Sequence, residues 1–334
     1  MRRREFITLL CGAAAAPMPV SLAVHAQQSD RVRHIGVLVG LASSADDPVA
    51  RETVRLFREA MQQAGWIEGK NMRVDYRFGG GDPTKINASA AELVALAPEL
   101  IYAQGLPATR ALHQETHAIP IVFTQVADPV GFGLVESIGH PGGNVTGFVV
   151  WDLSIGGKWI QLLREITPKL GRVGVIYNPD TAPYAAPLIA SARAAAGSDV
   201  AVAECPAHND GDIEAVASLL GREPHGGLLI IPEPFTNAHR DQIIDQSARF
   251  KLPTINPVSG AAARGALISY TYNFDAMIRQ PVTYIDRILK GESPSDLPVQ
   301  APTKYELVIN LTTAKALGLT IPAALLSLAD ELIE

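Results

Sequence analysis

The chain has 334 residues, 47% of them hydrophobic and 19% charged, with a formal net charge of −6. That much apolar material can fill one large or two medium cores, and the length favours two domains. Acids and bases are dispersed and no basic run is interleaved with aromatics, which argues against a nucleic-acid partner.

The N-terminus stands apart. "MRRREF" is basic, "ITLLCGAAAAPMPVSLAV" is apolar and small, and "VHAQQ" puts small residues around a cleavage point. This succession predicts a signal peptide over residues 1–26, cleaved after Ala26, and so a periplasmic protein. Arg3-Arg4-Glu5-Phe6-Ile7 resembles the twin-arginine export pattern, which leaves two export routes open. Cys11 follows the bulky Leu10, which disfavours lipid attachment. Past the cleavage point only Cys205 remains, so no intramolecular disulfide can form. No later segment is long and apolar enough to span a bilayer.

From His34 onward, short apolar runs alternate with helical patterns. "HIGVLVG" (34–40), "MRVDYRF" (72–78), "LIYAQG" (100–105) and "IPIVFT" (119–124) read as strands. The rhythm restarts with "RVGVIYN" (172–178), "VAVAEC" (200–205), "GLLIIP" (227–232) and "LPTINP" (252–257). Helix-period segments lie between them, including 49–63, 84–96, 211–220 and 238–249. Strand, helix, strand at this spacing predicts right-handed crossovers, and nearly continuous apolar strands predict sheets covered on both faces. After Ala266 come a strand "ALISYTY", a helix over 274–290, a proline-rich crossing and a strand "KYELVIN". The fold class is therefore α/β, with two doubly wound parallel-sheet lobes. Lobe 1 is expected over 31–147 plus 273–297 and lobe 2 over 148–272 plus 298–334, with crossings near 147–151, 268–273 and 298–304.

Signals for catalysis mostly fail. There is no G-x-S-x-G elbow and no P-loop, and "GFGLVE" (131–136) puts Glu136 where a dinucleotide fingerprint needs its third glycine. His113 and His117 could share a helix face, but no third ligand is evident and histidines suit a helix's last turn anyway. Cys205 reads as a small buried residue. Asp128 precedes Pro129, an order that fits a cap and the first residue of a helix; no base lies near it in sequence. That loop would aim backbone N–H groups, and Gln125, into a cleft. No catalytic residue, metal or cofactor is assigned. Loops at 40–48, 104–110, 124–131 and 177–184 all follow strands, where parallel sheets present helix N-termini to ligands.

"IPIVFTQVADPVGFGLVESIGHPGGNVTGF" (119–148), "LIYAQGLPATRALHQET" (100–116) and "KYELVINLTTAKALGL" (304–319) together resemble the ABC-transporter substrate-binding family related to tryptophan- and phenylalanine-binding lipoproteins. The resemblance implies a type I periplasmic-binding-protein clamshell with a three-segment hinge, a small-molecule ligand between the lobes and a partner permease in the inner membrane. It implies ligand contacts from Ser43, Ser44, Leu106, Pro107, Ala108 and Asp128 on one lobe. On the other it implies Tyr177, Asn178, Glu233, Phe235, Tyr270 and Asn273. Leu106 stands where relatives often carry threonine, and Asn273 where a carboxylate could meet a ligand ammonium. The expected cleft is thus more apolar and neutral than an amino-acid site, suited to an amino-acid-like or aromatic ligand, in a monomer. A sensory module of the same fold, or an α/β hydrolase or isomerase, are the rival readings.

Overall fold

The computed structural model describes residues 32–40, 42–223 and 225–334. The expected signal peptide, with Cys11 and the cleavage point, lies outside the described residues. The first sheet contains β1 (Arg33–Val39), β2 (Met72–Phe78), β3 (Leu100–Gln104), β4 (Ile121–Val126) and β5 (Val145–Val149). Its order is β2-β1-β3-β4-β5, parallel throughout. The second sheet contains β6 (Arg172–Tyr177), β7 (Ala201–Pro206), β8 (Gly226–Ile230), β9 (Thr254–Ile255), β10 (Ile268–Tyr272), β11 (Tyr305–Asn310) and β12 (Glu331–Ile333). Its order is β12-β11-β10-β9-β8-β6-β7, parallel except for the β10–β11 pair. Two α/β lobes result, as the strand–helix rhythm predicts.

The central strands of each sheet are buried on both faces, and because side chains alternate along a strand they feed two cores. Leu100 and Tyr102 join Ile35 and Val37 in a core under helices 48–63 and 281–289, while Ile101 and Ala103 turn to the opposite face with Leu38. Asp47 and Asp82 begin their helices by accepting the N–H of Val49 and of Thr84, each followed by proline at the first helical position. In the second lobe Val173, Val175 and Leu229 face one core, and Ile176, Leu228 and Ile230 the other.

The chain crosses between lobes three times. β5 carries the first sheet to Val149, and Val150 N–H still bonds the Val126 carbonyl at 3.0 Å. The segment after β10 returns to the first lobe, where Met277, Ile278, Val282 and Ile285 enter its core. Gln300 pairs beside β5, accepting from Val149 N–H at 2.9 Å and donating to the Gly147 carbonyl at 3.0 Å, before β11 rejoins the second sheet. The helix expected over 274–290 is two helices, Phe274–Arg279 and Pro281–Leu289, because Pro281 has no N–H to continue the first. The helix expected over 238–249 is Arg240–Arg249, preceded by a separate short helix, Pro234–Ala238. β5 and β12 are strands the apolar-run reading passes over.

Gly147 lies so close to β4 that a Cβ would sit 2.1 Å from the Phe123 carbonyl oxygen. Gly147→Ala should therefore lower unfolding free energy by roughly 1–3 kcal/mol, the usual cost of forcing atoms into a packed interior. Chemical denaturation reads it, and an unchanged midpoint would show that β4 and β5 can part there.

Candidate functional site

The carboxyl ends of β1, β3 and β4 are neighbours, so their loops form one rim on the first lobe. Ser43 and Ser44 are exposed on the loop after β1. Ser43 donates its hydroxyl to Asp47 at 3.4 Å, and Ser44 Oγ accepts the Asp46 N–H at 3.3 Å. After β3, Gly105 adopts φ 90° and starts helix Leu106–Glu115 with no side chain to cap it. The first-turn N–H groups are left without a side-chain acceptor at the positive end of the helix dipole. Leu106 is half-buried, Pro107 exposed and Ala108 buried beneath them.

β4 ends irregularly. Its pairing with β5 shifts register between Thr124 and Val126, and Gln125, between them, is left-handed at φ 59°. For a residue with a Cβ that conformation costs on the order of 1–3 kcal/mol. Its amide is held on both sides: Oε1 accepts from Gln104 Nε2 at 2.9 Å, and Nε2 donates to the Tyr272 hydroxyl at 3.1 Å. Gln104 Nε2 also reaches Thr53 Oγ1 at 3.4 Å, while its buried Oε1 has no partner. Burial pushes the Tyr272 phenol up, so it stays protonated at neutral pH.

Asp128 follows, but no helix does. Pro129 opens a turn, and the Asp128 carboxylate accepts the Gly131 N–H at 2.8 Å while its carbonyl takes the Phe132 N–H at 3.2 Å. The expected cap is therefore a turn cap. Chain closure over 131–135 replaces a helix because the Pro129 carbonyl takes the N–H groups of Leu134 and Val135.

On the second lobe, Asn178 and Glu233 meet across the adjacent ends of β6 and β8. Glu233 is buried and accepts four bonds: from Asn178 N–H at 3.4 Å, the Thr181 hydroxyl at 2.5 Å, Phe235 N–H at 2.7 Å and Thr236 N–H at 2.8 Å. Its oxygens are committed to joining two loops. Phe235 stacks on His239 with ring centroids 4.2 Å apart. Three expected contacts are engaged elsewhere. The Tyr177 hydroxyl donates to Glu204 at 2.9 Å, and burial first, then Glu204, pushes its phenol up. The Tyr270 ring stacks on Tyr305 at 5.3 Å, and its carbonyl takes Trp159 Nε1–H at 3.1 Å. Asn273 caps helix Phe274–Arg279 by accepting the Ala276 N–H at 2.7 Å, and its amide donates to Glu306. An asparagine just before an amphipathic run is a capping signal legible in the sequence.

Sequence reasoning missed Gln104, a polar end to an otherwise apolar strand, and the corner made by Trp151 and Tyr184. Those rings lie 6.1 Å apart, and the Tyr184 hydroxyl donates to the Pro232 carbonyl at 3.0 Å. Cys205 is buried, which pushes its thiol up and makes it a poor nucleophile. His113 and His117 meet edge-on at 5.0 Å, but among the described residues no group of three or more His, Cys, Asp or Glu could hold a metal ion. A concavity of about 430 Å³ lined by Arg164, Thr167, Asp199 and Val200 opens at the amino ends of β6 and β7, away from both rims. Among the described residues, the rims of the two lobes share no hydrogen bond or ion pair across the gap. The inter-lobe bonds lie at the crossings, as in Val150 to Val126 and Gln125 to Tyr272.

Residues 38–333 match the family described as ABC transporter substrate binding protein. A curated relative, the tyrosine-binding protein of Clostridioides difficile strain R20291, is 28% identical over 287 residues, covering 84% of this chain and 81% of its own. A crystal structure of a conserved domain protein from Vibrio cholerae aligns with TM-score 0.76 and 28% identity, covering 90% of this chain and all of its own. The ABC domain from Streptococcus pneumonia in complex with L-Trp shares the fold with TM-score 0.77 at 21% identity, covering 90% of this chain and all of its own.

If the two carboxylates are structural, their substitutions should read out in stability. Glu233→Gln puts an amide against N–H donors and should cost roughly 1–3 kcal/mol. Asp128→Asn should be nearly silent, and Asp128→Ala should cost about 0.5–2 kcal/mol. Denaturant melts of the three variants decide this; an Asp128→Asn protein of native stability that binds no ligand would make that carboxylate a direct contact.

Proposed function

The chain belongs to the ABC transporter substrate-binding protein family, and on that premise we propose that it is an exported solute-binding protein. It captures a small organic ligand between its lobes and delivers it to a membrane permease, acting as a monomer and without catalysis. The observation that carries this reading is the pairing of two rims at the carboxyl ends of parallel sheets, bonded to each other, among the described residues, only near the crossings. That arrangement lets a ligand complete the contacts between them, and a ligand touching both rims favours closure. Export rests on the basic, apolar and small succession over residues 1–26. No helix among the described residues is long and apolar enough to cross a membrane.

The uncapped first turn of helix Leu106–Glu115 suits a ligand carboxylate, and Leu106 and Phe235 offer apolar surface for a ring. With Glu233 and Asn273 engaged in caps, an α-ammonium has few partners here. The ligand class is therefore aromatic or amino-acid-like, with its carboxylate the main polar handle. The tyrosine-binding relative supports that class.

A thermal-shift panel of L-tyrosine, L-tryptophan, L-phenylalanine and the corresponding aromatic acids without the amine tests it. Saturation at 100 times Kd adds about 2.7 kcal/mol to the folded state, so at least one compound should raise Tm. Leu106→Asp sharpens the test. A carboxylate at a helix start favours the helix and offsets part of the packing that half-buried Leu106 gives up, and affinity should fall about tenfold or more. Unchanged affinity would move the carboxylate elsewhere.

A further inference from the structure

We propose that the hydrogen-bonded chain Thr53–Gln104–Gln125–Tyr272 is a latch that sets the angle between the lobes, so that Gln125 and Tyr272 govern ligand affinity without touching the ligand. It rests on the capture reading only in that lobe closure is what it regulates.

The four side chains come from four elements: helix Pro48–Gln63, β3, β4 and β10. The first three belong to lobe 1 and the last is the strand from which the chain leaves lobe 2. Tyr272 packs against the cores of both lobes, and the residue after it caps the returning helix. Its hydroxyl is thus beside the pivot. Gln125 grips that hydroxyl from a left-handed position at a register shift, which something must hold in place. Its two amide bonds, at 2.9 and 3.1 Å, do so. Gln125 also connects backbone to the Asp128 turn, and Gln104 directly precedes the uncapped helix start at Gly105–Leu106. Two of the three lobe 1 rim loops, those after β3 and β4, are therefore attached to one side-chain chain ending at the pivot.

The chain is incompletely satisfied. Gln104 is 2% exposed, and its Oε1 has neither a partner nor water access. A buried acceptor left open makes a competing arrangement of the same groups accessible. Hydrogen bonds weaken steeply beyond about 3.5 Å, so a rotation that displaces the Tyr272 hydroxyl by roughly 1 Å breaks the grip. Gln125 and Tyr272 are positioning residues: they bias the lobe angle, and the angle sets affinity.

The test measures the lobe-to-lobe distance in ligand-free protein by spin labels at Lys85→Cys and Ala215→Cys. Both positions are exposed and lie on helices of different lobes. Expressed from Gln27 onward, the protein lacks Cys11, and buried Cys205 stays. Tyr272→Phe removes the hydroxyl and keeps the ring in both cores. The distance distribution should shift or broaden, with the open-to-closed ratio changed about fivefold, the worth of one net hydrogen bond. Gln125→Asn keeps an amide and tolerates a left-handed backbone but is too short to bridge. It should reproduce the shift, and the double variant should add nothing further. Distributions superimposable on the parent in both variants would overturn the latch, whatever their melting temperatures. Capture by closure fails separately, if the parent binds no aromatic amino acid or acid while the ligand-free shift persists.

Discussion

The way β4 ends governs the gap between the lobes. Within three residues, Thr124 donates its hydroxyl to the Met277 carbonyl at 3.0 Å, Gln125 turns left-handed, and Val126 gives its carbonyl to Val150 at the first crossing. The first anchors the strand to the helix returning from lobe 2. The second breaks the ladder and frees a side chain to reach Tyr272. The third hands the backbone on to the connection between lobes. A regular strand here would keep its ladder and lose the reach, so the strain is local and its compensation is the amide chain.

Much of the fold was legible because its signals are redundant. Nearly continuous apolar runs marked strands buried on two faces, and helical periods marked segments such as 49–63 and 84–96, whose starts the structure caps with Asp47 and Asp82. What escaped was what has no local signature. β5 reads "VTGFV", too polar and glycine-bearing to resemble its neighbours, and is a strand because β4 and Gln300 flank it. Pro281 was visible, yet the apolar period of 274–290 runs through it, and the two helices stay nearly continuous across the break.

The candidate site was legible at the level of loops and not of side chains. Chain order and strand polarity put Ser43, Leu106, Gln125, Asp128 and Asn178 at carboxyl edges. They could not say which polar groups were already spent. Glu233 and Asn273, which the resemblance implies as ligand contacts, serve as caps in the fold, because a buried or helix-starting acceptor is filled first by nearby N–H groups. Tyr177 alternates onto the face of Val173 and Val175, which turns its hydroxyl to Glu204. The rim that remains is made largely of backbone donors, hydroxyls and apolar surface. On the proposed function, such a surface holds a neutral or anionic small molecule better than a cation, in keeping with the uncapped helix start at Gly105–Leu106.

On the proposed function, the protein works by a change of angle between its lobes. The most direct measurement is small-angle scattering of the protein alone and with saturating L-tyrosine, L-tryptophan or an aromatic acid that raises its melting temperature. The account predicts a smaller radius of gyration with ligand, as the rims close over it. A bound ligand that leaves the scattering curve unchanged would contradict capture between the lobes.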